Sequence, residues 1–177
     1  MSVAIAEKPS YELSSWDLSE LLPKPTETIL SERLAELEKK VQDFVAVREK
    51  LDPEMEPELL LNVMGQYEDL VETIFKLGAY GSLWFSADTQ SSAALTYRNR
   101  LQQVSTDVQN RTLFFDLWWK GLDDDEAVAL LPNATHFPDQ RHYLEDLRRT
   151  KPYTLDEKSE QLINTKDANG IDAVLTL

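Results

Sequence analysis

The two histidines, His136 and His142, are the first residues of this sequence to test for metal chemistry. Zinc sites on a helix use two histidines at positions i and i+4, with a glutamate beside the first. Neither histidine has a partner at that spacing, and a site that combined His142 with Glu145 or Asp146 would need further ligands from other parts of the chain. We therefore assign no metal ligand and interpret both histidines as polar or packing residues.

Acidic side chains cluster at residues 123–126, in the order Asp-Asp-Asp-Glu. A calcium loop of the EF-hand type is one interpretation, but its turn glycine and spaced ligands are missing here. Carboxylates at the start of a helix are stabilised by the helix dipole. We interpret this run as the start of a short helix.

Patterns for nucleophilic or cofactor chemistry are missing from the sequence. It has no cysteine, which excludes disulfides, thiolate zinc sites and cysteine nucleophiles within this chain. It has no Gly-x-Ser-x-Gly elbow, no glycine-rich phosphate loop and no Rossmann fingerprint. We assign no catalytic residue and no cofactor to this chain, and its substrate-binding residues stay unknown.

The net charge limits the kinds of molecule that this chain can bind. Net charge is −14, from 32 acidic and 18 basic side chains, and such a surface repels nucleic acid and anionic membranes. The densest basic group, residues 148–151, is short, and we interpret it as a solvated helix end. We see no signal peptide and no apolar run near the ~20 residues of a membrane span. Together with the missing cysteines, these features predict a cytoplasmic protein without nucleic-acid or membrane partners.

Long apolar patterns with helical spacing predict an all-α fold. A first helix at residues 27–51 and a second from Pro57 carry seams in which four-residue and three-residue steps alternate. The first seam comprises Leu30, Leu34, Leu37, Val41, Phe44 and Leu51, interrupted by Arg48. The second comprises Leu60, Met64, Tyr67, Val71, Ile74, Gly78, Gly81 and Phe85. The two glycines on this seam would allow another backbone to approach closely; a helix break near Gly78 is the alternative.

A third helix is predicted from Asp88, as N-cap, to Gly121. Its seam comprises Ala94, Tyr97, Leu101, Val104, Val108, Phe115, Trp118 and Leu122, interrupted by Arg111. Aromatic residues at this spacing are more often core than ligand-binding, and Trp119 lies off the seam, where it would cover a second surface.

Shorter helices are predicted on either side of these three. They cover residues 16–22, with Ser15 as N-cap, residues 127–131 and residues 139–149. Another would be opened by a capping box of Thr154 and Glu157 and run to Asn164. We expect a single helical domain at residues 1–177, an elongated bundle built on long antiparallel helices. It divides into a loose leader (1–15), a long-helix bundle (16–122) and shorter helices (123–177).

Three segments in a fixed order resemble a known family. Residues 16–23 read Trp-Asp-Leu-Ser-Glu-Leu-Leu-Pro, residues 79–81 read Ala-Tyr-Gly with Asp88-Thr89 following, and residues 143–147 read Tyr-Leu-Glu-Asp-Leu. The last leads into residues 153–163, where the family has a Leu-Ser-x-x-x-Glu-x-Leu character. Here Thr154 precedes Leu155, and Glu160 and Leu162 fill the later places. This set is similar to the N-terminal region of the oligoendopeptidase F family, zinc metallopeptidases related to thimet oligopeptidase.

The resemblance implies a function that this chain does not complete by itself. Family members are much longer and carry a His-Glu-x-x-His zinc motif in a later catalytic region, and that motif is absent here. The chain would then be the non-catalytic N-terminal part of a zinc endopeptidase acting on short peptides, forming a wall of its substrate channel. Its partners would be the downstream catalytic region and the peptides, with zinc as a cofactor of the parent enzyme only. The apolar ending at residues 171–177 favours a fragment; a stand-alone helical interaction module is the alternative.

From the missing ligands we predict that the isolated chain binds no zinc tightly and cleaves no peptide. Titration calorimetry with zinc and an assay with quenched fluorescent peptides measure the two properties. Peptide turnover by the purified chain that is lost on adding a chelator would contradict the prediction.

Overall fold

The computed structural model describes residues 16–22, 26–131 and 137–170. Within these ranges the chain forms six α-helices, two short 3-10 helices and no strand, which confirms the all-α prediction. None of these helices is both long and apolar enough to cross a lipid bilayer. The predicted leader at residues 1–15, the cap Ser15, His136 and the apolar stretch at residues 171–177 lie outside the described residues.

The helices differ strongly in length. They are α1 (Glu27–Val45), α2 (Pro57–Ala87), α3 (Ser92–Gly121), α4 (Asp124–Leu130), α5 (Pro138–Arg149) and α6 (Glu157–Asn169). The 3-10 helices are Ala46–Lys50 and Lys151–Tyr153. The short helix predicted at residues 16–22 is wrong: this segment is a turn in which the Leu18 carbonyl accepts from the N–H groups of Leu21 and Leu22. The Asp17 carboxylate accepts the Ser19 N–H at 3.0 Å, a local bond that favours a turn over a helix.

The first helix follows its predicted seam. Thr26 caps α1, its hydroxyl accepting the Ile29 N–H at 3.3 Å. The buried residues of α1 are Leu30, Leu37, Val41 and Phe44, all predicted. The α-helix ends at Val45, earlier than predicted, and continues as the first 3-10 helix.

Contacts between α1 and α2 fix these helices as antiparallel. Lys40 of α1 donates to Asp69 at 2.8 Å and to Thr73 at 2.9 Å. Phe44, four residues later in α1, meets the ring of Tyr67, which precedes both of these residues in α2, at 5.3 Å between centroids. The predicted antiparallel pair is therefore present.

Two arginines that interrupt the predicted seams link separate elements. Arg111 of α3 makes a two-pronged ion pair with Glu38 of α1, at 2.7 and 3.0 Å. Arg48 makes a similar pair with Glu157 of α6, at 3.0 and 2.7 Å. Such paired bonds add geometric specificity. The two arginines therefore fix how α3 is aligned with α1 and how α6 is aligned with the first 3-10 helix. Arg100 of α3 pairs with Glu27 of α1 at 3.3 Å, so residue numbers increase in the same direction along both helices. α3 therefore lies parallel to α1 and antiparallel to α2.

The predicted seam of α2 is correct in part. Leu60, Met64 and Gly81 are buried, as predicted, but the core also uses Leu70, Leu77 and Tyr80, which the prediction omitted. The predicted Val71, Ile74, Gly78 and Phe85 are half-exposed. In the first half of α2, Tyr67 meets Phe44 of α1 and Phe115 of α3, and Glu68 accepts from Gln140 of α5 at 2.9 Å. Further along, Tyr80 meets Tyr97 of α3. The buried side of the helix therefore changes along its length.

The two seam glycines have different surroundings. A Cβ atom built at Gly81 would lie 3.1 Å from Cδ1 and 3.2 Å from Cε1 of Tyr97, so this glycine permits close approach of α3. A Cβ at Gly78 would meet no atom within 4 Å. The close approach predicted at Gly78 is wrong, as is the alternative of a break there, because α2 is continuous from Pro57 to Ala87.

Two predicted helix caps are replaced by neighbouring residues. Asp88 ends α2 and accepts the Gln90 N–H, while Ser91 caps α3 by accepting the Ala94 N–H at 3.2 Å. For α6 the cap is Asp156, which accepts from Lys158 and Ser159, both at 3.1 Å. The Thr154 hydroxyl instead donates to the carbonyl of Thr150. In both places a side chain nearer to the first helical turn accepts its free N–H groups.

The remaining elements match their predictions more closely. α3 ends at Gly121, as predicted, and α4 begins with a capping box of Asp123 and Glu126, so residues 123–126 are a helix start. α5 begins one residue early, at Pro138, and α6 continues beyond Asn164 to Asn169. Trp119, placed off the seam, is fully buried, while the predicted seam residue Trp118 is half-buried.

Because a side chain would be crowded at Gly81 but not at Gly78, replacing each glycine by leucine gives a matched pair of variants. We expect Gly81→Leu to lower the free energy of unfolding by about 1–3 kcal/mol, because Tyr97 is held by Tyr80 and Trp84 and cannot move away freely. Gly78→Leu should be neutral or raise it by up to about 1 kcal/mol, because leucine is the better helix former. Urea denaturation of both variants measures this, and a midpoint that rises in Gly81→Leu would contradict the close approach.

Candidate functional site

A cluster of three polar side chains lies where α2, α3 and α5 meet. The Tyr143 hydroxyl of α5 donates to Asp116 Oδ1 of α3 at 3.3 Å. The ring of Tyr143 lies 6.3 Å from the ring of Tyr67 of α2. We call Tyr67, Asp116 and Tyr143 the tyrosine–aspartate cluster.

Burial dominates the electrostatics of this cluster. Desolvation raises the pKa of Asp116 above its ordinary value, and only the nearby Lys120 and the hydrogen bond from Tyr143 act in the other direction. Burial and the Asp116 carboxylate also raise the pKa values of both tyrosines, which stay protonated at neutral pH. A carboxylate in this position costs stability when charged, because its environment favours the neutral acid.

The chemical capacity of the cluster is limited to hydrogen bonding and proton exchange. Its carboxyl and two hydroxyls can bind a donor such as an amide N–H. Across the described residues, no group of three His, Cys, Asp or Glu side chains is placed to hold a metal ion. His142 is mostly exposed and lies 3.4 Å from Asp146 in the same helix.

Sequence reasoning missed this cluster, although one sign of it was present. Asp116 interrupts the most apolar run of the chain, residues 113–119. A charged residue within a run that must be buried needs a partner. The partner, Tyr143, lies in another helix, so the sequence alone does not pair the two residues.

The C-terminal end of α3 forms a second polar site. Arg148, whose side chain is 15% exposed, donates to the carbonyls of Trp119 and Leu122 and pairs with Asp124. Lys151 donates to the same Leu122 carbonyl at 2.7 Å. The prediction of a solvated helix end at residues 148–151 is therefore wrong for these two cations, which cap α3 rather than their own helix.

This capped end coincides with a family match. The family model described as Oligopeptidase F matches residues 118–173, from the last turn of α3 through α6. Comparison with curated proteins and with solved structures gives no match. The match supports the resemblance to an oligoendopeptidase F N-terminal region.

The raised pKa of Asp116 predicts the effect of removing its charge. Because the folded-state pKa lies above the unfolded one, the native state binds the proton more tightly, and stability falls as pH rises through the window between the two values. Asp116→Asn keeps an acceptor for Tyr143 and removes this loss. We expect the variant to be more stable than the parent above that window, and the difference to shrink towards acid pH.

Thermal unfolding of both proteins across a pH series measures this difference. Tyr143→Phe is the control, since it removes the hydrogen bond but keeps the carboxyl; it should lower stability by about 1 kcal/mol. An Asp116→Asn variant that is less stable at neutral pH would show that the charged carboxylate is favourable in this position.

Proposed function

We propose that this chain is the non-catalytic N-terminal part of a zinc metalloendopeptidase that hydrolyses short peptides, and that it forms a wall of the substrate channel. The observation that carries the proposal is the oligopeptidase F match at residues 118–173. The sequence resemblance at residues 16–23 and 79–81 extends the same assignment towards the N-terminus.

The physical form of the chain supports a structural role. α2 has 31 residues, and at a rise of about 1.5 Å per residue it is a rod of about 46 Å. Phe44 joins the three long helices, since it contacts Tyr67 of α2 and both Phe114 and Phe115 of α3. A body packed in this way keeps its shape against a substrate, as a channel wall must.

Zinc would be held outside this chain. The donor groups of the described residues do not fit a zinc site, because no three of them converge. When bound in the proposed parent, zinc supplies a Lewis acid and an activated water to peptide hydrolysis. The residues of this chain would contribute restraint and exclusion, admitting flexible peptides and keeping folded proteins out.

A stand-alone helical interaction module is the second candidate. Exposed apolar side chains such as Tyr153, 83% exposed, and Leu162, 58% exposed, are the observation that favours it. A reading frame that continues past Leu177 into a His-Glu-x-x-His helix would exclude this candidate, and one that stops there would favour it.

If this chain is a wall of the channel, deleting residues 1–177 from the parent enzyme should relax or abolish size selection while zinc binding is retained. The experiment compares cleavage of a short peptide and of a folded protein by the parent and by the truncated enzyme. Circular dichroism and zinc analysis confirm that the truncated enzyme is folded and loaded. An unchanged preference for short peptides would show that this segment is not the wall.

A further inference from the structure

A cavity of about 390 Å³ opens at one end of the bundle, where the parallel helices α1 and α3 begin and α2 ends. We call it the end cavity. Its size lies within the range of about 300–1,000 Å³ that is usual for small-molecule sites. It is lined by Glu27 and Leu30 of α1, Trp84 of α2, and residues in the first turns of α3 that include Ser92, Tyr97 and Arg100.

One of the lining residues, Tyr97, carries a hydroxyl group that is buried without a partner. Tyr97 is only 5% exposed, and its hydroxyl makes no hydrogen bond within the described part of the chain. Such groups are uncommon in native proteins, because a buried polar atom without a partner costs free energy. Burial raises the pKa of Tyr97 to about 12, so this hydroxyl stays protonated and can donate at neutral pH. An acceptor bound in the end cavity would remove the cost.

The end cavity also carries one positive and one negative side chain. Arg100 and Glu27 are both exposed, and a single contact of 3.3 Å joins them. An exposed pair of this kind adds little stability, so it can separate to admit a ligand. Of the described residues that line the cavity, these two are the charged ones. The first N–H groups of α3, at Ser92 and Ala93, have no partner within the helix and favour a negative group beside Arg100.

We propose that the end cavity binds a free α-amino acid with a large apolar side chain. The α-carboxylate pairs with Arg100 and accepts from the Tyr97 hydroxyl, while the α-ammonium pairs with Glu27. The apolar side chain lies against Leu30 and the ring of Trp84. A zwitterion matches this cavity because a ligand with a single charge would leave either Glu27 or Arg100 without its partner. Such a site would exist whether or not the chain is part of a peptidase.

An NMR titration of this chain with L-phenylalanine tests the site through the amide signals of the first turns of α3. N-acetyl-L-phenylalanine keeps only the carboxylate and L-phenylalaninamide keeps only the ammonium, so they also represent the last and the first residue of a peptide. We expect phenylalanine to bind about tenfold more tightly than either derivative, because each has lost one charge-assisted contact. L-alanine should also bind about tenfold more weakly, because it buries far less apolar surface.

Two substitutions separate the roles of the charged residues. Arg100→Gln should weaken the binding of phenylalanine and of its N-acetyl derivative about tenfold and leave the amide derivative unaffected. Glu27→Gln should instead weaken the binding of phenylalanine and of the amide derivative. Arg33→Gln is the matched control, because Arg33 forms an exposed ion pair with Glu36 on α1 and does not line the cavity. It should change none of the affinities.

Tyr97→Phe keeps the ring and removes only the hydroxyl. We expect this variant to bind phenylalanine about threefold to tenfold more weakly, the loss of one hydrogen bond. Without ligand it should unfold at the same temperature as the unchanged chain or at a higher one, since the hydroxyl has no partner there. A lower unfolding temperature would show that the hydroxyl is already paired in the free chain and would overturn its assigned role.

The ligand series uses the unchanged chain, so it decides the outcome even if a variant fails to fold. If the amides of α3 show no shift at about 10 mM phenylalanine, the site is overturned. An N-acetyl derivative that binds as tightly as phenylalanine would replace the free amino acid by the last residue of a peptide. An amide derivative that does so would replace it by the first residue, and either result overturns the free amino acid as the ligand.

Discussion

The capping of the C-terminal end of α3 is the interaction on which the arrangement of the shorter helices depends. The last carbonyls of a helix have no partner within it, and a buried carbonyl without a partner is costly. Here Arg148 and Lys151 supply the donors, while the fully buried Trp119 donates to the Leu144 carbonyl at 2.8 Å. One set of bonds therefore completes α3 and fixes α5 against it. The family match begins at this point, at residue 118.

The tyrosine–aspartate cluster lies close to the same junction, but its charged carboxylate lowers stability instead of raising it. Arg148 and Lys151 meet the negative end of a helix and stabilise the junction, whereas Asp116 brings a charge into surroundings that disfavour it. Groups that cost stability occur where function requires them, and a raised carboxyl pKa is one sign of such a site. When ionised, Asp116 therefore opposes the stabilisation that the two cations give to the junction.

How far the sequence predicted this structure depended on where the partners of each residue lie. Seams, helix lengths and the stop at Gly121 follow from local spacing, and they were largely correct. The seam of α2 was only partly correct because the side that α2 buries beyond Met64 is set by where α1 and α3 lie, which the spacing within α2 does not encode. Arg148 was misinterpreted for a similar reason: its sequence position predicts a bond to its own helix end, while its partners belong to α3. The candidate cluster joins three helices, so only the unexplained charge of Asp116 indicated it.

The long helices and α6 are held in place by different kinds of contact. The long helices pack through aromatic and aliphatic contacts, which scale with buried area and make a body of fixed shape. α6 is attached through the side chains of Gln161 and Asn164 and the ion pair of Glu157 with Arg48, and each such bond contributes only about 0.5–1.5 kcal/mol net, or less where it is exposed. The position of α6 therefore depends more on polar contacts than the positions of the long helices do. The chain thus combines a tightly packed body with one helix that is held more weakly.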